Sequence, residues 1–103
     1  MTTIRTHGDY ETVAASQSDQ ALGATGASND YLHSLIIVPA TTSPGAVSIK
    51  DGGGSAITVF TGGALSVTAL TPMVVPLSMV STAGAWSVTT GAAVSVIAVG
   101  DFT

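Results

Sequence analysis

Apolar and small polar residues alternate along most of the chain after residue 30, in short runs that turn-forming residues separate. Alternation with a period of two is typical of β-strands that bury one face, and no stretch of helical length shows a period of 3.6 residues. The pattern is clearest in the last third, between residues 71 and 102. It predicts six or seven strands, within residues 31–40, 46–50, 55–61, 64–70, 73–80, 85–90 and 93–99.

The connecting segments complete an all-β prediction. The DGGG run at residues 51–54 suits a hairpin turn, because glycine tolerates positive φ. Pro76 lacks an N–H, which predicts that its strand lies at a sheet edge or contains a bulge. We therefore predict a small β-sandwich or barrel, and periodicity alone leaves a jelly-roll and an immunoglobulin-like strand order open.

Alternation also assigns side chains to the two faces of each predicted strand. Ile57 and Val59 are predicted to share one face of their strand. His33 is two residues from Leu35, so we predict that it packs on the same face, at a sheet margin.

The first 29 residues differ from the rest of the chain. They carry half of the charged residues, few large apolar residues, and the string ALGATGAS at residues 21–28, while residues 10–15 suit a short strand or a helical turn. So little apolar surface does not offset the entropy of ordering the segment. We predict an N-terminal arm at residues 1–29, flexible or ordered on a neighbouring subunit, and a β-sandwich domain at residues 30–103. Deleting residues 1–27 is then expected to leave the domain folded.

Charge is scarce and unevenly placed. Charged residues make up 8% of the chain, the net charge is −4, and only Lys50, Asp51 and Asp101 follow residue 30. Two basic residues far apart cannot form a phosphate-neutralising patch, so we expect neither a nucleic acid nor a membrane surface as partner. Cysteine is absent, which excludes disulfides and thiolate metal sites. We expect no signal peptide and no membrane span, because no run has the apolar length that either needs.

The uncharged surface indicates contact with other subunits. Such surface is cheap to desolvate, so we expect a homo-oligomer. In the strand at residues 93–99, Ile97 and Val99 point away from the other apolar side chains, which predicts burial on both faces. The predicted interface residues are Tyr10, Val13, Met73, Val75, Pro76, Ile97 and Val99.

Side chains that carry chemistry are few and scattered. His7, Asp9 and Glu11 form one cluster that resembles a metal or acid–base site, but a solvated polar terminus explains the same string. The whole chain has two histidines, and two acids follow residue 30, so neither a Ser-His-Asp triad nor a carboxylate pair for glycoside cleavage is credible. The DGGG run lacks the helix and lysine of a phosphate loop. We expect a protein that is not an enzyme, with no catalytic, cofactor-binding or metal site and no small-molecule substrate.

Two runs, LHSLIIVPATTSPGAVSIKDG and GAWSVTTGAAVSVIAVG, resemble small structural proteins of tailed bacteriophages that decorate or cement the capsid. The resemblance covers about residues 31–102 and rests on strands and turns. It implies a jelly-roll-like core and a homo-oligomer, dimer or trimer, bound to the major capsid protein. It also implies a place on the capsid surface of the virion, after synthesis in the host cytoplasm.

A carbohydrate- or receptor-binding β module of a tail fibre or spike is the alternative. A lone tryptophan in an alternating strand is typical of a core, which is what we predict for Trp86. Exposure of Trp86 or Tyr31 beside a polar pocket would instead favour a sugar-stacking surface.

Overall fold

The computed structural model describes residues 9–103, and their regular secondary structure consists of β-strands alone. Among these residues no helix has the length and hydropathy that a membrane crossing requires. The all-β prediction is confirmed. The strands in this part of the chain are β1 (Asp9–Val13), β2 (Gln20–Ala21), β3 (Tyr31–Pro39), β4 (Val47–Asp51), β5 (Ile57–Phe60), β6 (Met73–Val80), β7 (Trp86–Thr90) and β8 (Val94–Asp101).

The strands within residues 9–103 form two four-stranded antiparallel sheets. Sheet A has the order β1-β8-β3-β6, and sheet B has the order β2-β7-β4-β5. The chain passes back and forth between the sheets, so its first and last strands become neighbours. Eight strands in this order make a jelly roll, which confirms the predicted sandwich and rules out the immunoglobulin-like order.

The core lies between the inner faces of the two sheets. Alternating residues of β8 and β7 are buried, as their sequence pattern predicts, and β6 packs against this core with every second residue from Met73 to Met79. The buried hydrophobic residues of the core are Val13, Leu22, Leu32, Leu35, Ile37, Val47, Ile49, Trp86, Val88, Val94, Val96 and Ala98.

Residues 9–29 belong to this sandwich, which corrects the prediction of an arm over residues 1–29. Strand β1 pairs with β8 of the same chain along its whole length. Val13 and Leu22 are fully buried in the core. The carboxylate of Glu11 accepts hydrogen bonds from the side chain of Gln20 at 2.8 Å and the N–H of Gly23 at 2.7 Å, which joins the two sheets along one side. The first eight residues of the predicted arm lie outside the described part of the chain.

The predicted strand at residues 64–70 is wrong, because this segment is an exposed loop. Gly62, Gly63 and Leu65 all have positive φ, which is incompatible with a continuous strand. The N–H groups of Gly63 and Val67 donate to carbonyl groups of residues 44 and 42, so the loop is fastened to the β3–β4 connection instead of a sheet.

Two bulges change which side chains face the core. In β3 the register shifts between Leu32 and Ser34, so His33 is exposed while Leu35 is buried, and the predicted shared face is wrong. In β5 the bulge lies at Val59, and Phe60 returns to the core side as partner of Val47. An extra residue in a strand breaks the period of two, which simple alternation does not anticipate.

Asp51 at the end of β4 fastens the turn between β6 and β7. Its carboxylate accepts hydrogen bonds from the N–H of Ala83 at 2.9 Å, and from the N–H at 3.0 Å and the hydroxyl at 2.9 Å of Thr82. The Ala83 N–H above all, and then the two Thr82 donors, lower the pKa of Asp51 against an opposing effect of desolvation.

The stabilisation by Asp51 should therefore depend on pH. A lowered pKa in the folded state adds stability above the unfolded pKa of about 3.9, and this contribution disappears as the pH falls through the lower folded pKa. We expect Asp51→Asn to lower the urea midpoint at neutral pH, and the difference from wild type to shrink below about pH 4. Urea unfolding of both proteins, from neutral pH to below about pH 4, measures this difference in midpoint. A difference that keeps its neutral-pH size in acid would contradict the assignment.

Candidate functional site

The outer faces of the two sheets differ in chemistry. Each outer face consists of every second side chain along the strands of its sheet. The outer face of sheet A is apolar, whereas that of sheet B consists of small polar and charged side chains. This difference is the basis for the candidate site, an interface on sheet A.

Cross-strand pairing arranges the outer face of sheet A in rows. A central row runs from Thr12 through Ile97 and Ile36 to Val74. Val74 is 65% exposed, and the two isoleucines are half-buried between their neighbours. All four side chains of this row are β-branched, and three of them are purely aliphatic.

The neighbouring rows extend the apolar surface on both sides of the central row. One contains Tyr10, Val99, the bulge residue Ser34 and Pro76, and here Tyr10 is 70% exposed. The row toward one end pairs Val38 with Ser95, and the row at the other end contains Asp101, Tyr31 and Val80. Among the described residues of these four rows, Asp101 at the margin is the charged side chain, and the exposed His33 of the β3 bulge lies beside Tyr31 in the same end row.

The outer face of sheet B gives the contrast. Its rows pair Ala21, Ser87 and Lys50, and next to them Thr89, Ser48 and Thr58. The Lys50 ammonium lies 3.3 Å from the carboxylate of Asp19, which also accepts a hydrogen bond from the Thr89 hydroxyl at 3.1 Å. Such side chains interact well with water, so this face needs no partner.

Four of the seven predicted interface residues lie on the apolar face of sheet A: Tyr10, Pro76, Ile97 and Val99. The other three do not. Val13 has no accessible surface, because it is a core residue, and Met73 and Val75 pack against the core from the inner side of β6.

Sequence reasoning missed other members of this face, namely Ile36, Val38, Val74 and Val80. A signal for the first two was present, because the run LIIV in residues 35–38 places apolar residues on both faces of β3. Apolar residues on both faces of a strand indicate that both faces are covered, and this holds for β3 as it does for β8.

Two of the four edge strands of the described sheets, β5 and β6, are poor docking sites. In β6, Pro76 has no N–H to offer, and Ser78 has a φ of 52°, which distorts the strand. Strand β5 has only four residues and contains a bulge. Both devices oppose the addition of a further strand. Contact through a face is therefore favoured over contact along β5 or β6.

The buried carboxylate of Asp30 has a structural role. It is 4% exposed and accepts hydrogen bonds from the N–H of Ala27 at 3.2 Å and from the N–H and hydroxyl of Thr103 at 3.1 and 3.0 Å. Its backbone carbonyl accepts from the indole N–H of Trp86 at 3.0 Å. These bonds hold the β2–β3 connection and the end of the chain in place.

The aromatic residues proposed for sugar stacking are not arranged as such a site. Trp86 is 3% exposed and is a core residue, as predicted. The Tyr31 hydroxyl is hydrogen-bonded to Nδ1 of His33 at 3.2 Å, and its ring is half-buried. An open cavity of about 300 Å³ lies beside the loop after β5, lined by Ser66, Val67, Thr68, Ala69, Thr71 and Met73, so neither aromatic residue contributes to it.

The structure describes only part of the predicted cluster of His7, Asp9 and Glu11. His7 lies outside the part of the chain that the structure describes, while Glu11 is held by Gln20 and Gly23. Within residues 9–103 no group of three or more His, Cys, Asp or Glu side chains is placed to hold a metal ion.

A scan against protein-family models, a search of curated proteins and a search of solved structures each found no match to this chain. What the chain does must therefore be argued from its own fold and surface.

Proposed function

We propose that this protein is a non-enzymatic structural component of a tailed-phage virion, most specifically a capsid decoration or cement protein. The observation that carries the proposal is the apolar, nearly uncharged outer face of sheet A. Exposure of such a face to water is unfavourable in free energy, and covering the face in an assembly removes this unfavourable contribution.

Burial would supply the binding energy. Apolar surface contributes about 25 cal/mol for each Å² removed from water. Binding of the chain to an assembled shell, and not to its separate components, stabilises the shell by mass action. The proposed partners are therefore sister subunits and the major capsid protein, and the proposed location is the surface of the head.

The jelly-roll topology supports this proposal by analogy. Eight-stranded jelly rolls occur in viral capsid domains and also in lectins, so the fold agrees with both functions considered from the sequence. Trp86 is buried in the core and Tyr31 is half-buried, with its hydroxyl hydrogen-bonded to His33. Neither residue is the fully exposed aromatic platform that would favour the lectin-like alternative.

Two measurements on purified phage particles test the proposed function: their protein composition and the location of this chain in them. We expect particles assembled from the genome that encodes the chain to contain it in a fixed ratio to the major capsid protein, measured by quantitative mass spectrometry. Gold-labelled antibody should mark the head. Labelling confined to the tail tip would support the receptor-binding alternative, and absence from purified particles would refute a virion role.

A further inference from the structure

Several parts of the described surface are less suited to a protein partner than the outer face of sheet A. The edge strands β5 and β6 carry a bulge, a proline and a residue with positive φ. The outer face of sheet B carries Lys50 with its Asp19 partner among serines and threonines. The outer face of sheet A is uncharged and mostly apolar in its two central rows.

We propose that the partner of this face is a second copy of the chain, packed with its sheet A against the first in a twofold-symmetric dimer. The inference rests on the proposed function, since it names one partner of the same surface. The face offers no charge pattern that a charged partner would recognise. An uncharged row of β-branched side chains is instead complementary to itself, because a twofold axis brings the same patch of each copy together.

The geometry of sheets supports such a contact. Two sheets pack face to face about 10 Å apart with their strands within about 30° of each other, which is how jelly-roll cores themselves form. The pleated rows of Ile36, Ile97 and Val99 present the β-branched side chains that interdigitate well in this packing. The dimer would form a four-layered arrangement, with the polar outer faces of sheet B on its two outsides.

The area is sufficient for a specific but moderate affinity. Four strands about 4.8 Å apart, with four rows about 6.7 Å apart, make a face of roughly 20 by 25 Å. Two such faces bury on the order of 1,000 Å² together, which is near the lower bound for a specific interface. We therefore expect a concentration-dependent dimer and not an obligate one.

Sedimentation velocity of the purified full chain tests this proposal. At about 100 µM we expect a species of twice the chain mass of 10.1 kDa, which dissociates on dilution. Ile97→Asp places a carboxylate in the central row of both copies, and we expect it to weaken association by at least about 30-fold. The matched control, Ser87→Asp on the outer face of sheet B, should dimerise like wild type. Circular dichroism of each variant confirms that it is folded.

A charge-complementation experiment identifies the contact as sheet A on sheet A. Ile97→Asp and Ile97→Lys should each be monomeric alone, and an equimolar mixture should recover a dimer, because opposite charges then meet across the twofold axis. Failure of the mixture to associate would overturn the face-to-face arrangement. Equal weakening by Ser87→Asp and Ile97→Asp would overturn it as well.

The outcomes separate this inference from the proposed function. If wild type is monomeric in solution at all concentrations yet present on purified particles, the dimer is refuted while the virion role stands. If it dimerises through residue 97 and is absent from particles, the dimer stands while the virion role is refuted.

Discussion

Deletion of residues 1–27 is expected to unfold the protein. The deletion removes β1, which pairs with β8 from Asp9 to Val13, and it removes β2, which pairs with β7. It also removes Val13 and Leu22, which are fully buried in the core. Truncation of a single buried aliphatic residue costs about 2–5 kcal/mol. The unfolding free energy of a whole domain is about 5–15 kcal/mol, so losing both residues removes much of it.

Hydrogen bonds lost with this segment add to the effect. The hydroxyl of Thr90, which is buried, donates to the carbonyl of Ala14 at 2.6 Å and accepts from the N–H of Gln17 at 3.0 Å. Without residues 14 and 17 these groups lose their partners, and unpaired buried polar groups are costly.

Thermal unfolding followed by circular dichroism measures the result. We expect the 1–27 deletion to show no cooperative transition. A deletion that ends at residue 8 is the matched control, because it leaves all of these contacts in place, and it should unfold cooperatively. A wild-type transition in the longer deletion would show that residues 30–103 fold without the segment, as the sequence alone had suggested.

Gly100→Ala is expected to destabilise the protein by about 3 kcal/mol or more, because the added methyl group has no space. Gly100 is buried in β8 opposite Leu32 of β3. A Cβ atom at this position would overlap the backbone carbonyl oxygen of Tyr31, and it would lie 3.0 Å from Cζ of Phe102. The first obstacle is backbone in a paired strand, so the β3–β8 ladder must shift to relieve it.

Gly53→Ala is the control for this substitution. A Cβ atom at residue 53, in the turn after β4, has nothing within 4 Å. We expect its unfolding free energy to stay within about 0.5 kcal/mol of wild type. Urea denaturation compares the two variants. Equal midpoints for Gly100→Ala and Gly53→Ala would contradict the close approach of β3 and β8.

The sequence predicted the strands whose burial follows simple alternation. Strand β6 begins and ends at the predicted residues, and β4, β7 and β8 differ by one or two. In these strands most inward residues are apolar and pack on the core, so the local pattern and the fold agree. The orientation of Ile97 and Val99 away from the core follows from the same rule and is confirmed.

The parts that sequence reasoning missed depend on contacts between distant residues. Strand β1 contains one large aliphatic side chain, Val13, and its order comes from pairing with β8 about ninety residues later. No local pattern reports such a pairing. The segment 64–70 fails in the opposite way: it alternates, but positive φ at Gly63 and Leu65 turns it into a loop.

The candidate interface was predicted in part for related reasons. Ile97 and Val99 could be assigned because apolar residues on both faces of a strand indicate cover on both sides. Met73 and Val75 were predicted at the interface but lie on the inner side of β6. Alternation alone does not tell which face of an edge strand points inward. That choice needs the position of the second sheet.

The position of β8 between β1 and β3 also determines when the chain can fold during synthesis. Neither β1 nor β3 has its main partner until residues 94–101 have left the ribosome. Sheets dominated by such distant pairings fold in about milliseconds to seconds. At a synthesis rate of about 5–20 residues per second, the apolar side chains of β3 wait for several seconds before they are covered. Folding of the sandwich therefore waits for β8, and until that strand appears the growing chain is open to chaperones or to aggregation.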